Sequence, residues 1–160
     1  MSPNDVSLYT RFTNLKERKP SLQTWIAVGG WALNDPGNTP DTRTAFSDMA
    51  RTQAGRTAFI DSLLQFMETY NFDGVDLDWE YPTAEDRGGS PGDTENLVSL
   101  LRDMRTRFGS SYGISIAIPA SYWYLRNFDV QGMTRYVDWL NVVSYVRHST
   151  QIVILRMADS

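Results

Sequence analysis

Residues Phe72 to Pro82 read FDGVDLDWEYP. Within this segment, apolar residues alternate with acidic ones, so the side chains fall into two sets. The apolar set is Val75, Leu77 and Trp79, and the acidic set is Asp76, Asp78 and Glu80. Because successive side chains of a β-strand point to opposite faces, this alternation predicts a strand with one apolar and one acidic face. The apolar face needs cover, which helices supply in a parallel sheet.

Further strands and helices are predicted on both sides of this segment. Short, mostly apolar runs predict strands, and apolar residues recurring every three or four positions predict helices. The predicted strands are 24–28, 114–118 and 139–145, and the predicted helices are 55–70, 93–108 (capped by Asp93 and ended by Gly109) and a short 130–136. The connections are too long for hairpins, so the strands should be parallel with right-handed crossovers. Both a doubly wound sheet and a β/α barrel fit this α/β order.

Composition excludes several function classes. The chain has 160 residues, 41% of them hydrophobic, which is enough for the core of one domain. Its formal net charge of -4 gives no cationic surface for nucleic acid. With no cysteines and one histidine, neither a thiolate site nor a histidine cluster can form, and we expect no metal and no cofactor. The sequence predicts neither a membrane span nor a signal peptide, and it indicates no oligomeric state.

The acidic face of the central strand predicts a chemical site. Asp76, Asp78 and Glu80 should lie about 6 to 7 Å apart from one to the next. Three ionised carboxylates in a partly enclosed site repel one another, so at least one proton should be shared or retained near neutral pH. A retained proton is what a general acid requires. A solvated acidic face and a calcium loop are the alternatives, although Tyr81 stands where that loop needs glycine.

Four segments resemble family 18 of the glycoside hydrolases, the family of the chitinases. The acidic segment matches the family signature D-x-x-D-x-D-x-E through Asp73, Asp76, Asp78 and Glu80. Three others, similar to the family's third, fifth and sixth barrel strands, are 27–31 (AVGGW), 114–121 (ISIAIPAS) and 137–145 (VDWLNVVSY). Other details are most similar to the fungal chitinases related to killer toxin subunits. The resemblance implies a partial (β/α)8 TIM barrel over residues 1–145, with about four parallel strands and intervening helices.

The resemblance also implies roles for individual residues. Glu80 would protonate the glycosidic oxygen of chitin, and the substrate's own acetamido group would attack the anomeric carbon. Asp78 would orient that group with Asp76 as its proton-sharing neighbour, and Tyr145 would hydrogen-bond it. The implied substrate-binding residues are Trp31, Gly30, Asp73, Tyr81, Tyr122 and Trp123. The implied partner is chitin or N-acetylglucosamine oligosaccharides, cleaved by endo-acting hydrolysis of β-1,4 linkages, and the implied location is extracellular.

The resemblance ends at Tyr145, because Val146 stands where the family has Asp. Residues 146–160 match nothing in the family, and we interpret them as a separate tail that arises from a gene-model artefact. The matching part corresponds to the third to sixth of eight barrel strands. We therefore expect the chain alone to fold poorly and to have low activity. The alternative function is a non-catalytic, chitin-binding relative, although such proteins commonly lack the acid that Glu80 provides.

Overall fold

Four parallel strands alternate with helices in this computed structural model, which describes residues 3–38, 41–146 and 149–156. The strands are β1 (Trp25–Gly29), β2 (Gly74–Asp78), β3 (Gly113–Pro119), β4 (Trp139–Val146) and β5 (Ser149–Arg156). The helices are α1 (Pro3–Thr13), α2 (Leu15–Arg18), α3 (Ala45–Ala50), α4 (Gln53–Tyr70), α5 (Asp93–Phe108), α6 (Tyr122–Leu125) and α7 (Val130–Met133). Short 3-10 turns span Trp31–Asn34 and Glu85–Arg87. Among the helices of the described residues, none is long and apolar enough to cross a membrane.

The order of the strands decides between the two folds that the sequence leaves open. In the sheet, each strand lies beside its neighbours in the chain, and β1 to β4 pair in parallel. A doubly wound sheet reverses its strand order at a switch point, whereas a barrel places consecutive strands side by side. The sequential order therefore confirms the α/β fold predicted from the sequence, a part of a β/α barrel.

The central strand β2 has the two faces that its alternating sequence predicts. Val75, Leu77 and Trp79 are at most 1% exposed. They belong to the core between the sheet and the helices, where Trp79 stacks on Phe46 of α3 with ring centroids 5.3 Å apart. Apolar residues of α4 and α5 supply most of the cover: Ile60, Leu63, Leu64, Met67, Leu97, Leu100, Leu101 and Met104. The acidic side chains consequently lie on the opposite, uncovered face.

The structure differs from the sequence predictions at several element ends. The prediction that Asp93 caps α5 is wrong, because Gly92 is the cap and Asp93 is the first helical residue. The Asp93 carboxylate instead accepts hydrogen bonds from the Ser90 amide (2.6 Å) and the Ser47 hydroxyl (2.7 Å), so it holds the preceding loop. The predicted end of this helix at Gly109 is confirmed. The third predicted helix is shorter than expected and forms α7 only.

The segment after β4 contains a strand that the sequence analysis did not predict. β5 pairs antiparallel with β4, from Val146 opposite Ser149 to Trp139 opposite Arg156. It lies within the segment that we interpreted as a tail. The edge strands of the described sheet are therefore β1 and β5, and β4 is paired on both sides.

An aromatic pair packs on the acidic face of the sheet, at the amino ends of the strands. Trp25 of β1 lies across Gly74 and Gly113 and contacts Trp139 of β4, with ring centroids 4.3 Å apart. A Cβ atom at Gly113 would lie 2.0 Å from the Trp25 ring. The indole ring therefore packs in the space that a side chain at Gly74 or Gly113 would occupy. The acidic residues lie on the same face, toward the other end of the strands.

We expect Gly113→Ala to lower the free energy of unfolding by about 1 to 3 kcal/mol, because the added methyl group overpacks this contact. Urea unfolding of the two proteins measures the difference. In a Trp25→Phe background the ring atoms nearest Gly113 are absent, so the same substitution should cost much less. An equal cost in both backgrounds would show that the indole ring is not the cause.

Candidate active site

The acidic residues lie at the carboxyl end of the central strand. Asp76 and Asp78 are within β2, and Glu80 follows two residues after the strand ends. All three side chains are partly buried. The carboxyl ends of parallel strands are where β/α barrels build their active sites. The described residues contain no group of three or more His, Asp or Glu side chains that could hold a metal ion.

Asp76 is held by polar side chains from both following strands. The Ser115 hydroxyl of β3 and the Asn141 amide of β4 donate to the same carboxylate oxygen, at 2.6 and 2.7 Å. Burial raises the pKa of Asp76, and these two hydrogen bonds act in the opposite direction. The side chain is therefore fixed in orientation beneath Asp78.

Asp78 is the acidic residue of the row whose pKa is raised furthest toward neutrality. Burial raises its pKa to about 6, and the charges of Glu80 and Asp76 act in the same direction. The repulsion shows that the three acidic groups are close enough to influence one another, as the alternation predicts. Near neutral pH, Asp78 can therefore exist in both forms, as a hydrogen-bond donor and as an anion.

Two glycines bring the end of β1 against Asp78. The Gly30 amide donates to the Asp78 carbonyl at 2.7 Å, and a Cβ atom at Gly29 would lie 2.1 Å from that carbonyl oxygen. The backbone at both glycines has positive φ, +117° and +97°, which favours glycine. The Cβ position of Gly30 lies 3.6 Å from the Asp78 carboxylate. The candidate Gly30 is therefore beside the acidic row.

The aromatic candidates lie in the loops that follow β1, β2 and β3. Trp31 is 52% exposed and meets the edge of Tyr81, with ring centroids 6.4 Å apart. Tyr81 is buried and stacks on Tyr124 at 4.2 Å, so its ring packs inside the loop cluster. Tyr122 and Trp123 of α6 are 78% and 62% exposed. Trp31, Tyr122 and Trp123 thus offer rings to solvent, whereas Tyr81 packs against Trp31 from inside the loop cluster.

One predicted site residue, Asp73, lies away from this cluster. Asp73 precedes β2 at the opposite end of the strand, where its carboxylate accepts from Thr24 N (2.6 Å) and from the Lys16 ammonium (2.9 Å). Burial acts against ionisation, but these contacts prevail and lower the pKa of Asp73. The Tyr145 backbone lies in β4, while its side chain lies outside the described part of the structure. The role of Tyr145 stays a prediction.

The structure also adds residues to the site that the sequence analysis did not assign. Ser115 and Asn141 hold Asp76, and Arg87 donates to the Glu80 carbonyl at 3.2 Å. The first two could have been found from the alternation, because each is a polar residue at an inward position of a mostly apolar strand. No periodic signal marks Arg87, which lies in an irregular loop.

A parallel β/α sheet with an acidic row at the carboxyl end of one strand is typical of barrel enzymes that hydrolyse glycosides. The sequence profile of "Glycosyl hydrolases family 18" matches residues 1–153 of this chain. The chain therefore belongs to glycosyl hydrolase family 18. The matched residues extend past Tyr145, into the segment that we interpreted as a separate tail.

The similar proteins include named chitinases. The Endochitinase of Manduca sexta is 34% identical over 145 residues, which cover 88% of this chain and 25% of that protein. The Killer toxin subunits alpha/beta of Kluyveromyces lactis are 39% identical over 126 residues, covering 76% and 11% respectively, which confirms the predicted likeness to killer-toxin-related proteins. The crystal structure of Ostrinia furnacalis Group IV chitinase in complex with allosamidin superposes with a TM-score of 0.78 and 33% identity, covering 88% of this chain and 36% of that one. The chain thus spans between 11% and 36% of the length of these relatives.

Proposed function

We propose that the protein hydrolyses β-1,4 linkages between N-acetylglucosamine units of chitin, as an endo-acting enzyme with a retaining, substrate-assisted mechanism. The observation that carries the proposal is the row of Asp76, Asp78 and Glu80 at the carboxyl end of β2, where burial and the neighbouring charges raise the pKa of Asp78 to about 6. The names of the relatives, endochitinase and chitinase, support the choice of substrate.

Glu80 begins the reaction as general acid. Its proton passes to the glycosidic oxygen as the bond from that oxygen to the anomeric carbon breaks. The carbonyl oxygen of the substrate's own 2-acetamido group forms a bond to the anomeric carbon from the opposite face, which gives an oxazolinium ion. Water then attacks the anomeric carbon and gives a proton to Glu80, while the bond from that carbon to the acetamido oxygen breaks and restores the acetamido group. Two inversions at one carbon leave the β configuration unchanged.

Asp78 assists the step in which the oxazolinium ion forms. Its carboxylate accepts a hydrogen bond from the acetamido N–H and so orients the carbonyl oxygen for attack. The positive charge of the oxazolinium ion lowers the pKa of Asp78 and favours its anionic form. Asp76, fixed by Ser115 and Asn141, takes part in proton sharing with Asp78. Tyr145 is proposed to hydrogen-bond the acetamido group from β4.

The aromatic residues around the acidic row are proposed to bind neighbouring sugar units. Trp31, Tyr122 and Trp123 present exposed rings, and Gly30 leaves room beside Asp78. Tyr81 is proposed to contribute by supporting Trp31. The proposal also places the reaction outside the cell, as the resemblance implies.

The stereochemistry of the product tests the mechanism. We expect the chain to release oligosaccharides from chitohexaose with the β anomer formed first, measured by proton NMR before mutarotation. An α anomer formed first would contradict the retaining mechanism. Binding of chitohexaose without release of shorter products would instead favour the non-catalytic, chitin-binding alternative.

A further inference from the structure

Arg87 is a buried cation in contact with both the proton donor and an exposed aromatic residue. It ends the 3-10 turn that follows β2 and is 4% exposed. Its Nε donates to the Glu80 carbonyl at 3.2 Å, and Nη1 donates to Asp35 at 2.7 Å. Nη2 donates to the Trp31 carbonyl. All three guanidinium nitrogens therefore have acceptors, which a buried charge requires.

The contact with Glu80 matters because the sheet no longer holds the backbone at that residue. Pairing between β1 and β2 ends with Gly29 opposite Asp78. Glu80 lies two residues further on, so no strand ladder fixes the orientation of its peptide group. The hydrogen bond from Arg87 Nε acts on that peptide group directly.

The contact with Trp31 fixes a second part of the site in the same way. The Arg87 guanidinium carbon lies 3.7 Å from the centre of the Trp31 ring, which is a cation–π contact. One face of the ring is thereby covered, while the residue remains 52% exposed. A planar guanidinium holds several acceptors and a ring in one fixed geometry, and a lysine ammonium does not.

We infer that Arg87 is a positioning residue that fixes the proton donor Glu80 relative to the open face of Trp31. This inference rests on the proposed function, because it takes Glu80 as the proton donor and the Trp31 ring as a contact for a sugar unit. Arg87 would set the distance between the two. Arg87 acts through Glu80 and Trp31, and takes no proton itself.

Kinetics of three variants test the inference. We expect Arg87→Gln to lower kcat on a fluorogenic chito-oligosaccharide about 100-fold and Arg87→Lys about 10-fold, because a small misplacement of a catalytic group has effects of this size. Arg56→Lys is the matched control. Arg56 is likewise buried. It donates hydrogen bonds to the Asp103 carboxylate at 2.7 Å and to the Ala50 carbonyl at 2.9 Å, away from the acidic row. Its kcat should stay within about 2-fold of the original, since nothing it touches belongs to the site.

Two results would overturn the inference. One is an unchanged kcat in Arg87→Lys. The other is an equal loss of kcat in Arg87→Lys and Arg56→Lys, each in proportion to its lowered melting temperature. The NMR shift of the Tyr81 amide nitrogen provides a readout independent of turnover, because that nitrogen is conjugated with the Glu80 carbonyl. It should change in Arg87→Lys and not in Arg56→Lys. If the chain has no activity but this shift changes, the proposed function fails while the contact from Arg87 to Glu80 stands.

Discussion

Glu80→Gln is expected to lower kcat for chito-oligosaccharide hydrolysis by about 100- to 10 000-fold, the usual contribution of a general acid. Glutamine keeps the shape of the side chain but has no acidic proton to give to the glycosidic oxygen. The affinity for an unlabelled chito-oligosaccharide should remain, because ring contacts at Trp31 and Trp123 do not depend on that proton. Initial rates with a fluorogenic substrate and calorimetric titration measure the two quantities separately.

Glu85→Gln is the matched control for this variant. Glu85 is an exposed residue five positions further along the chain, in the 3-10 turn. The same chemical change there should leave kcat unaltered. A Glu80→Gln protein that hydrolyses its substrate at the original rate would remove Glu80 from the mechanism. An original chain that binds the oligosaccharide with no turnover dependent on Glu80 would favour the chitin-binding function.

The fold was predictable to the extent that each element carries its own periodic pattern. The alternation in β2 was enough to place Asp76 and Asp78 on one face and Leu77 on the other, because strand geometry is local. The order of strands was not predictable from local patterns, since β1 to β4 pair through contacts between distant parts of the chain. The resemblance to a barrel family supplied that information.

The chemistry of the site was predictable only in part. Charge repulsion predicts that one carboxyl group has a raised pKa. Asp78 has the larger rise because burial and two neighbouring charges act in the same direction there, whereas at Asp76 the hydrogen bonds from Ser115 and Asn141 oppose the effect of burial. Those two hydrogen bonds come from later strands, so the pattern within β2 does not contain them. Arg87 was missed for the same reason: its partners Trp31 and Glu80 are joined only in the folded chain.

Asp78→Asn is expected to lower kcat by about 100- to 1000-fold and, at the same time, to stabilise the fold at neutral pH. The loss of activity follows because the neutral amide cannot balance the charge of the oxazolinium ion, and a preorganised electrostatic contact of this kind has effects of that size. Initial rates at pH 7 measure it. The gain in stability follows because the pKa of Asp78 in the folded protein, about 6, lies above the usual value of about 4 for an unfolded aspartate.

The sign of the stability effect follows from proton binding. The folded state holds a proton on Asp78 that the unfolded state releases, so the free energy of unfolding falls as the pH rises from about 4 through 6. Asparagine has no proton to release and avoids that loss. The melting temperature of Asp78→Asn should therefore exceed that of the original protein above pH 6 and approach it near pH 4.

Asp73→Asn is the matched control, because the same change is made just before the other end of β2. The pKa of Asp73 is lowered, so its carboxylate stabilises the fold above the pKa of the unfolded state, and this stabilisation is lost as the pH falls. Asp73→Asn should thus be less stable at pH 7 while each folded molecule keeps its activity. Asp78→Asn should gain stability and lose activity, whereas Asp73→Asn should lose stability and keep activity. Unfolding alone cannot produce this pair of results. A variant of Asp78 that loses both together would contradict the assignment of Asp78 to the reaction.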